Sequence, residues 1–386
     1  MDDVVTPIYL DYNATTPVAP EVVAAMLPFL HEHFGNPSSN HAYGDAPRVA
    51  MAESRQEIAR LIGAQPLEII FTGSATEANH LAILGLARAM GESRRHVVIS
   101  AIEHPSVSEP VHRLQELGWS VTVVPVDEYG RVAARDIAAA LRADTGLVSV
   151  MHANNEVGTI QPIAEIAALV RARGILMHTD AAQSAGKVAL DVDALGVDLL
   201  TLAGHKFYAP KGVGALYVRS GTPIAAVLAG GGQERGLRAA TENIPHIVAL
   251  GTAARLARER LPETRSHLLA LRDRLHARLS REVPGLTLNG HPEHRLPNTL
   301  NVSFPDVSGA ILLRHLRDRI AASTGSACHA GDAAPSGVLG AMGLSRERAS
   351  GAVRLSIGLD TREDDINAAA AALITAWHEL AQAEHV

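Results

Sequence analysis

Short apolar segments alternate with amphipathic helical segments through the first two-thirds of the chain, and this alternation limits the fold more than any other feature. Four of the apolar segments read "LEIIFTG", "HVVIS", "SVTVVPV" and "GILMHTD". Nearly continuous apolar strands between such helices are typical of a parallel sheet that is covered on both faces. The sequence therefore predicts an α/β fold with a mostly parallel sheet.

After about Ala240 the pattern changes. Two long helical patterns cover roughly 245–260 and 262–282, several short strand patterns follow, and a final helix is predicted over about 362–384. This order is typical of an α+β unit. We therefore expect a second, smaller domain after the large one.

Composition excludes several classes of protein. The net charge of −7 and the lack of a long basic run disfavour direct binding to nucleic acid. The apolar runs are far shorter than the ~20 residues of a membrane span, and the acidic N-terminus lacks the apolar region of a signal peptide. The single cysteine, Cys328, allows no intrachain disulfide and fits a reducing compartment. We expect a cytoplasmic protein without a membrane partner.

Polar and small residues follow the predicted strands, where the ligands of an open α/β sheet bind. These segments read "GSATEAN", "AIEHPS", "ANNEVG", "DAAQ" and "GHK". In the first of them, a strand-to-helix turn with free N–H groups is a ready anion site. The alternative is an ordinary helix cap by Ser74 or Thr76. The segment has no GxxxxGK[ST] pattern, which disfavours a nucleoside triphosphate.

The chain has three lysines, and Lys206 directly follows an apolar strand. Burial lowers the pKa of a lysine, and the neutral amine can then attack a carbonyl group. A surface lysine with a buried stem is the alternative interpretation, and it suits Lys187 and Lys211 better.

Asp180 ends an apolar strand, where it can pair with a protonated ring nitrogen or cap a helix. His104 can stack on a flat ring or move protons, although a lone histidine is more often structural. An anion site, a strand-end lysine and these two residues together suit pyridoxal 5′-phosphate (PLP). No HExxH or CxxC motif is present, and we expect no metal site.

The chain resembles the NifS/IscS-type cysteine desulfurases, which belong to the class V aminotransferase group of fold-type I PLP enzymes. The matching segments span nearly the whole chain: "YLDYNATTP", "FGNPSS", "FTGSATEANHLAI", "EHPSV", "NNEVGTIQPI", "HTDAAQ", "GHKFYAPKGVGALYVR", "GGGQERGLRAATENI", "RLPNTLNVSF", "STGSACHAG" and "VRLSIG". The resemblance implies a seven-stranded sheet in a large PLP-binding domain at 15–258. The small domain would comprise 1–14 and 259–386 and would carry the Cys328 loop.

The resemblance also implies roles for residues around the cofactor. Lys206 would hold PLP as a Schiff base, Asp180 would pair with the ring nitrogen, and His104 would stack on the ring and shuttle protons. The remaining cofactor contacts would be Gln183 and Asn155 to the ring oxygen, Ala75, Thr76 and His205 to the phosphate, and Thr241 of a second subunit to the same phosphate. A homodimer is therefore implied.

On the substrate side, the resemblance implies that Arg354 binds the carboxylate of L-cysteine, helped by Asn36 and Asn155. Cys328 would take the substrate sulfur as a persulfide and leave L-alanine. The sulfur would then pass to an acceptor protein that serves iron–sulfur clusters or thio-modification.

Three positions depart from the bacterial desulfurase pattern. Ala203 replaces a phosphate-binding hydroxyl residue, and Ala240 replaces a glycine, where its methyl group would strain a tight turn. His329 follows Cys328 where Thr or Ser is common. This histidine and a nonpolar residue at 203 also occur in selenocysteine lyases, so L-selenocysteine is the alternative substrate. A solvated loop residue is the other interpretation of His329.

Overall fold

The computed structural model of the chain describes residues 6–92, 94–324 and 336–383. Its strands are β1 (Ile8–Tyr9), β2 (Ile69–Thr72), β3 (His96–Ser100), β4 (Ser120–Val124), β5 (Thr145–Ser149), β6 (Leu176–Asp180), β7 (Leu199–Ala203), β8 (Gly214–Val218), β9 (Thr287–Asn289), β10 (Thr299–Ser303), β11 (Ile320–Ala321) and β12 (Ala352–Ser356).

The α-helices are α1 (Pro20–Met26), α2 (Pro28–His31), α3 (Ala42–Ile62), α4 (Ala75–His80), α5 (Leu86–Met90), α6 (Pro105–Glu116), α7 (Ala134–Ala140), α8 (Ile163–Arg171), α9 (Val192–Leu195), α10 (Ile244–Glu259), α11 (Leu261–Glu282), α12 (Gly309–His315), α13 (Gly337–Ala341), α14 (Arg346–Ser350) and α15 (Glu363–Ala383). A π-helical turn, Leu81–Gly85, joins α4 to α5, and 3₁₀ turns occur at Pro66–Glu68, Gly204–Lys206 and Gln233–Gly236.

Seven strands form the large sheet in the order β2-β8-β7-β6-β5-β3-β4. Strand β8 runs antiparallel to both of its neighbours, and the other pairs are parallel. The prediction of a mostly parallel, seven-stranded sheet is therefore confirmed.

Helices cover both faces of this sheet, and successive strand residues divide between two apolar cores. In β2, Ile69 and Phe71 pack on one face with α3 and α10, whereas Ile70 packs on the other with α4 and α6. Side chains alternate across a strand, so a strand buried on both faces is apolar at nearly every position. This is why the strands read as continuous apolar runs.

The later part of the chain has a separate apolar core. Strands β12, β10 and β9 form an antiparallel sheet, and β1 pairs in parallel with β11. Helices α11, α12 and α15 pack on them, and Leu10 joins the same core from the N-terminal segment. The division at 15–258 stays a prediction.

Helix positions follow the sequence patterns closely, with one difference. The long helices α10, α11 and α15 lie where they were predicted. The sequence "PEVVAAMLPFLHEHF" predicts one helix from Pro20, but the segment is divided, because Pro28 begins the separate helix α2. Proline has no N–H to donate to the preceding turn, which explains the break.

Candidate active site

A cavity of about 280 Å³ lies at the carboxyl ends of the parallel strands. The loops after β2, β3, β5, β6 and β7 meet there, as expected for an open α/β sheet. The predicted site residues that line this cavity are Ala75, Thr76, His104, Asn155, Asp180, Gln183, His205, Lys206 and Arg354.

Lys206 ends a 3₁₀ turn that directly follows β7. Its Nζ donates hydrogen bonds to the backbone carbonyls of Asn13, at 2.7 Å, and Ala14, at 2.8 Å. The side chain is half-buried. The amine thus lies in the cavity, held by the N-terminal segment on one side and by the sheet on the other.

Asn13 was not predicted as a site residue, yet it joins several parts of the site. Its backbone carbonyl also accepts a hydrogen bond from Gln183 Nε2 at 3.0 Å, and its side-chain Nδ2 donates to the Asn155 carbonyl at 3.1 Å. The side-chain amide also contacts Thr299 and Asn298 in the smaller sheet region. The polar turn "DYNATT" after the apolar "IYL" was the available signal, because it has the same form as the strand-end loops.

Asp180 is buried at the end of β6, and both of its oxygens accept hydrogen bonds. Oδ1 accepts from the Ala182 N–H at 2.9 Å, and Oδ2 accepts from Asn79 Nδ2 at 2.8 Å. The same Asn79 amide donates to Ser106 at 2.8 Å. A carboxylate fixed in this way presents acceptor oxygens to the cavity and suits a protonated ring nitrogen. Asn79 and Ser106 were not predicted.

His104 is the N-cap of helix α6, and its Nδ1 accepts a hydrogen bond from the Ser106 N–H at 3.1 Å. The Ser106 hydroxyl lies 2.8 Å from the same nitrogen. Burial lowers the pKa of His104, and Lys206 lowers it further, whereas Asp180 opposes them. With Nδ1 as acceptor, the neutral ring carries its proton on Nε2.

The N-terminus of α4 lies where the anion site was predicted. Ser74 is the N-cap and accepts a hydrogen bond from the Glu77 N–H at 3.1 Å, so the capping interpretation is correct. Ala75 and Thr76 nevertheless line the cavity. A Cβ added at Gly214 would lie 2.8 Å from Ser74 and 3.0 Å from Ala75, so this glycine lets β8 approach the turn closely. The cap and the cavity wall are therefore the same turn.

His205 and Ala203 lie beside that turn. The His205 Nδ1 lies 3.1 Å from the Thr15 hydroxyl. Burial lowers the pKa of His205 to about 4, helped by Lys206 and Lys211. The ring is therefore neutral at neutral pH and can act as a hydrogen-bond donor. Ala203 lines the cavity with a methyl group and contributes no hydroxyl hydrogen bond.

Arg354 lies in β12 and is 3% exposed. Its Nη2 lies 2.7 Å from Asp11 Oδ1, and its Nη1 donates to the Asn155 carbonyl at 3.1 Å. Within the described part of the chain, its buried Nε has no hydrogen-bond partner. Arg354 lines the cavity, and a guanidinium can bind a carboxylate through paired N–H donors.

Lys187 corrects an interpretation of the sequence. It was expected at the surface, but it is only 6% exposed and its Nζ donates to Gln183 Oε1 at 3.2 Å. The surface interpretation was therefore wrong for Lys187, whereas Lys211 is exposed as expected. No local sequence pattern distinguishes the two lysines, because the packing that buries Lys187 comes from distant segments.

Asn36 and Thr241 are not among the residues that line the cavity, and both are exposed. Asn36 Oδ1 accepts from the Ser38 N–H at 2.9 Å. Ala240, next to Thr241, has φ +96°, a backbone conformation that side chains rarely adopt, so the strain expected from its methyl group is present. Cys328 and His329 lie outside the described residues.

PLP fits the donors and acceptors of this cavity. Lys206 offers an amine, Asp180 an acceptor for a ring nitrogen, and the α4 turn offers N–H groups for a phosphate. The neutral ring of His104 and the amide of Gln183 complete the wall. Across residues 6–92, 94–324 and 336–383, no group of three or more His, Cys, Asp or Glu side chains could hold a metal ion.

The family described as Aminotransferase class-V matches residues 8–369 of the chain. A curated relative, the cysteine desulfurase IscS of Dictyoglomus turgidum, is 46% identical over 361 residues, which cover 93% of this chain and 92% of the relative. The chain belongs to the class-V aminotransferase family. This family depends on PLP, so the predictions of the family and its cofactor are confirmed.

Two solved structures are similar to this chain over most of its length. A NifS-like protein matches with a TM-score of 0.90 and 37% identity, covering 97% of this chain and 99% of that one. A structure described as SspA in complex with cysteine matches with a TM-score of 0.81 and 38% identity, covering 91% and 98%. The fold-type I prediction is confirmed by these likenesses. No helix in the described ranges is long and apolar enough to cross a membrane.

Proposed function

We propose that the chain is a PLP-dependent cysteine desulfurase, which converts L-cysteine to L-alanine and takes the sulfur as a persulfide on Cys328. The observation that carries the proposal is one cavity that joins Lys206, Asp180 and Arg354 in a chain of this family. Relatives that are 42% to 47% identical over most of the chain bear the name cysteine desulfurase.

When bound, PLP withdraws electrons from the α-carbon of an amino acid and so makes loss of its α-proton feasible. Asp180 would hold the ring nitrogen, and His104 would lie against the ring. Asn155 and Gln183 would bind the ring oxygen, while Ala75, Thr76 and His205 would bind the phosphate. Lys206 Nζ would take and return the α-proton, for which its position in the cavity is suitable.

Arg354, which lines the cavity, would bind the substrate carboxylate through its guanidinium. Burial strengthens such a charge-assisted hydrogen bond. Asn155, whose carbonyl accepts from Arg354, would orient the guanidinium. Asn36, which is exposed and does not line the cavity, would help to bind the same carboxylate.

Sulfur transfer would occur at Cys328. Its thiolate would attack the substrate sulfur, a sulfur–sulfur bond would form, and the carbon–sulfur bond would break. The carbon would keep the bonding electrons and take a proton, which completes L-alanine. The thiolate is the reactive form of cysteine, so this step needs a thiol with a lowered pKa.

The active protein would be a homodimer in which Thr241 of one subunit reaches the phosphate site of the other. Thr241 is exposed and does not line the cavity of its own chain. Large apolar side chains are also exposed in one stretch of the chain, namely Leu27, Leu30, Phe34, Tyr43 and Val49. Such apolar surface is typical of an interface.

The persulfide would pass to an acceptor protein that serves iron–sulfur clusters or thio-modification, and the cytoplasm is the predicted compartment. Surface contacts select an acceptor, and the residues of the cavity do not. The proposed desulfurase activity ends with L-alanine and the persulfide on Cys328, and it does not depend on which protein accepts the sulfur.

The proposal is tested by mixing the PLP-loaded protein with L-cysteine and a reductant, and by measuring sulfide and alanine. We expect both products from the wild type. Cys328→Ala should release no sulfide under the same conditions while still binding PLP. Full activity in Cys328→Ala, or no sulfide from the wild type, would contradict the proposal.

L-selenocysteine is the alternative substrate, and the names of the relatives favour L-cysteine. Turnover of both amino acids by wild type and Cys328→Ala separates the two activities. A lyase would turn over L-selenocysteine much faster and would depend less on Cys328.

A further inference from the structure

Lys187 is a buried lysine without a carboxylate partner. It is 6% exposed, and within residues 6–92, 94–324 and 336–383 no Asp or Glu forms an ion pair with it. Burying an ammonium group is costly unless a partner compensates it. Its hydrogen bond goes to Gln183 Oε1 at 3.2 Å. Because burial of this ammonium group destabilises the fold, we infer that Lys187 has a role in the site beside it.

The hydrogen bonds of Gln183 fix the orientation of its amide. Lys187 is a donor, so the amide atom that faces it must be the oxygen. The Asn13 carbonyl is an acceptor, so the atom that faces it, at 3.0 Å, must be the nitrogen. That nitrogen has a second hydrogen, and Gln183 lines the cavity. Lys187 and the Asn13 carbonyl therefore act together to favour the orientation in which Gln183 offers a donor to the site.

The same hydrogen bonds connect the two lysines. Lys187 contacts Gln183, Gln183 contacts the Asn13 carbonyl, and Lys206 Nζ contacts that carbonyl as well. Burial, helped by the positive charges of Lys206 and Arg354, lowers the pKa of Lys187 to about 7. The neutral amine keeps N–H donors for Gln183 Oε1, and the Asn13 carbonyl accepts from Gln183 Nε2 at any pH, so the orientation holds on both sides of neutral pH.

We propose that Lys187 is a positioning residue, which orients the Gln183 amide so that its N–H donates to the anionic ring oxygen of bound PLP. This inference rests on the proposed cofactor site at Lys206. Titratable and charged groups on the elements around the two lysines are His104, Asp180, His205, Arg260 and Arg354, with the phenols of Tyr12 and Tyr208.

The test is a pH titration of the visible absorption of the bound cofactor. In Lys187→Met the Gln183 oxygen loses its donor, and only the Asn13 carbonyl still holds the amide, so its N–H is less firmly directed to the ring oxygen and the anion is disfavoured. We expect the titration midpoint to rise by about one pH unit. Lys187→Gln keeps an N–H donor without the charge, and it should restore most of the wild-type midpoint.

Two further variants complete the experiment. Lys211→Met removes an exposed lysine that does not contact Gln183, and its midpoint should match the wild type. In a Gln183→Leu background, Lys187→Met should cause no further shift, because the amide that it positions is gone. Melting curves of each variant show that it is folded.

An unchanged midpoint in Lys187→Met would overturn the proposal. A midpoint in Lys187→Gln that stays as high as in Lys187→Met would also overturn it, because a donor at this position would then not matter. If the wild type shows no visible absorption after loading with PLP, the proposed cofactor site itself is wrong. The two failures are therefore distinguishable.

Discussion

Two walls of the cavity are built in different ways. The sheet wall consists of residues that directly follow strands, such as Asp180 after β6 and Lys206 after β7. The opposite wall combines the turn at 11–15 with Arg354 from β12, which are far apart in sequence. The first wall holds the groups expected at the cofactor ring, and the second holds the groups expected at the substrate carboxylate. Strand ends that are local in sequence therefore form the cofactor wall, and contacts between distant segments form the substrate wall.

The largest effect is expected from the sheet wall. Lys206→Ala removes the amine that would take the α-proton, and turnover of L-cysteine should fall by about 10³-fold or more. Sulfide release measures the loss. The variant should melt like the wild type apoprotein, and residual turnover within tenfold of the wild type would contradict the role of Lys206.

Arg354→Lys tests the opposite wall. Lysine cannot reproduce the planar fork, so the kcat/KM for L-cysteine should fall by about 10²-fold. Most of the loss should appear in KM, because carboxylate binding is affected more than proton transfer. Steady-state kinetics at several substrate concentrations give the two constants. A change confined to kcat would place Arg354 in the chemistry instead.

Asn13→Ala tests whether the second wall also holds the two sheet regions together. The change removes one hydrogen bond from the buried Asn298 amide and one from the buried Thr299 hydroxyl, so we expect a loss of about 1–3 kcal/mol in the free energy of unfolding. Chemical denaturation measures the loss. Asn36→Ala is the matched control, since Asn36 is exposed and should change stability little.

The burial of Lys187 predicts a specific dependence of protein stability on pH. Its pKa is about 7 in the folded chain and about 10.5 in the unfolded chain, so between these values the unfolded chain binds more protons. Wild-type stability from this group therefore rises with pH over that window and is lowest below pH 7. Lys187→Met should raise the melting temperature more at pH 6 than at pH 10. An equal rise in melting temperature at pH 6 and pH 10 would mean that the pKa of Lys187 is not lowered in the folded chain.

The smallest effect is expected at Ala240, which belongs to neither wall. Its φ of +96° suits glycine, so Ala240→Gly should stabilise the chain by up to about 1 kcal/mol, less the greater freedom of glycine when unfolded. Thermal unfolding of the two proteins measures this difference. A lower melting temperature for the variant would show that the turn tolerates alanine.

The same contrast explains what the sequence could predict. Strand ends are visible as apolar runs followed by polar residues, so the sheet, Asp180 and Lys206 were found from local pattern. Asn13, Asn79 and the burial of Lys187 depend on segments that meet only in the folded chain. The pairing of Asp11 with Arg354 spans 343 positions, and no local pattern reports such a contact. Arg354 itself was predicted only through the resemblance to a family.

The two carbonyls at Asn13 and Ala14 have a consequence for synthesis of the protein. They hold Lys206, but the turn that carries them is fixed to β12, where the Asn13 N–H donates to the Ser356 hydroxyl at 2.9 Å. A growing chain on the ribosome can form the large sheet before β12 has been made. The turn cannot settle over Lys206 until then. We expect a nascent chain arrested before β12 to fold its sheet and yet fail to retain the cofactor.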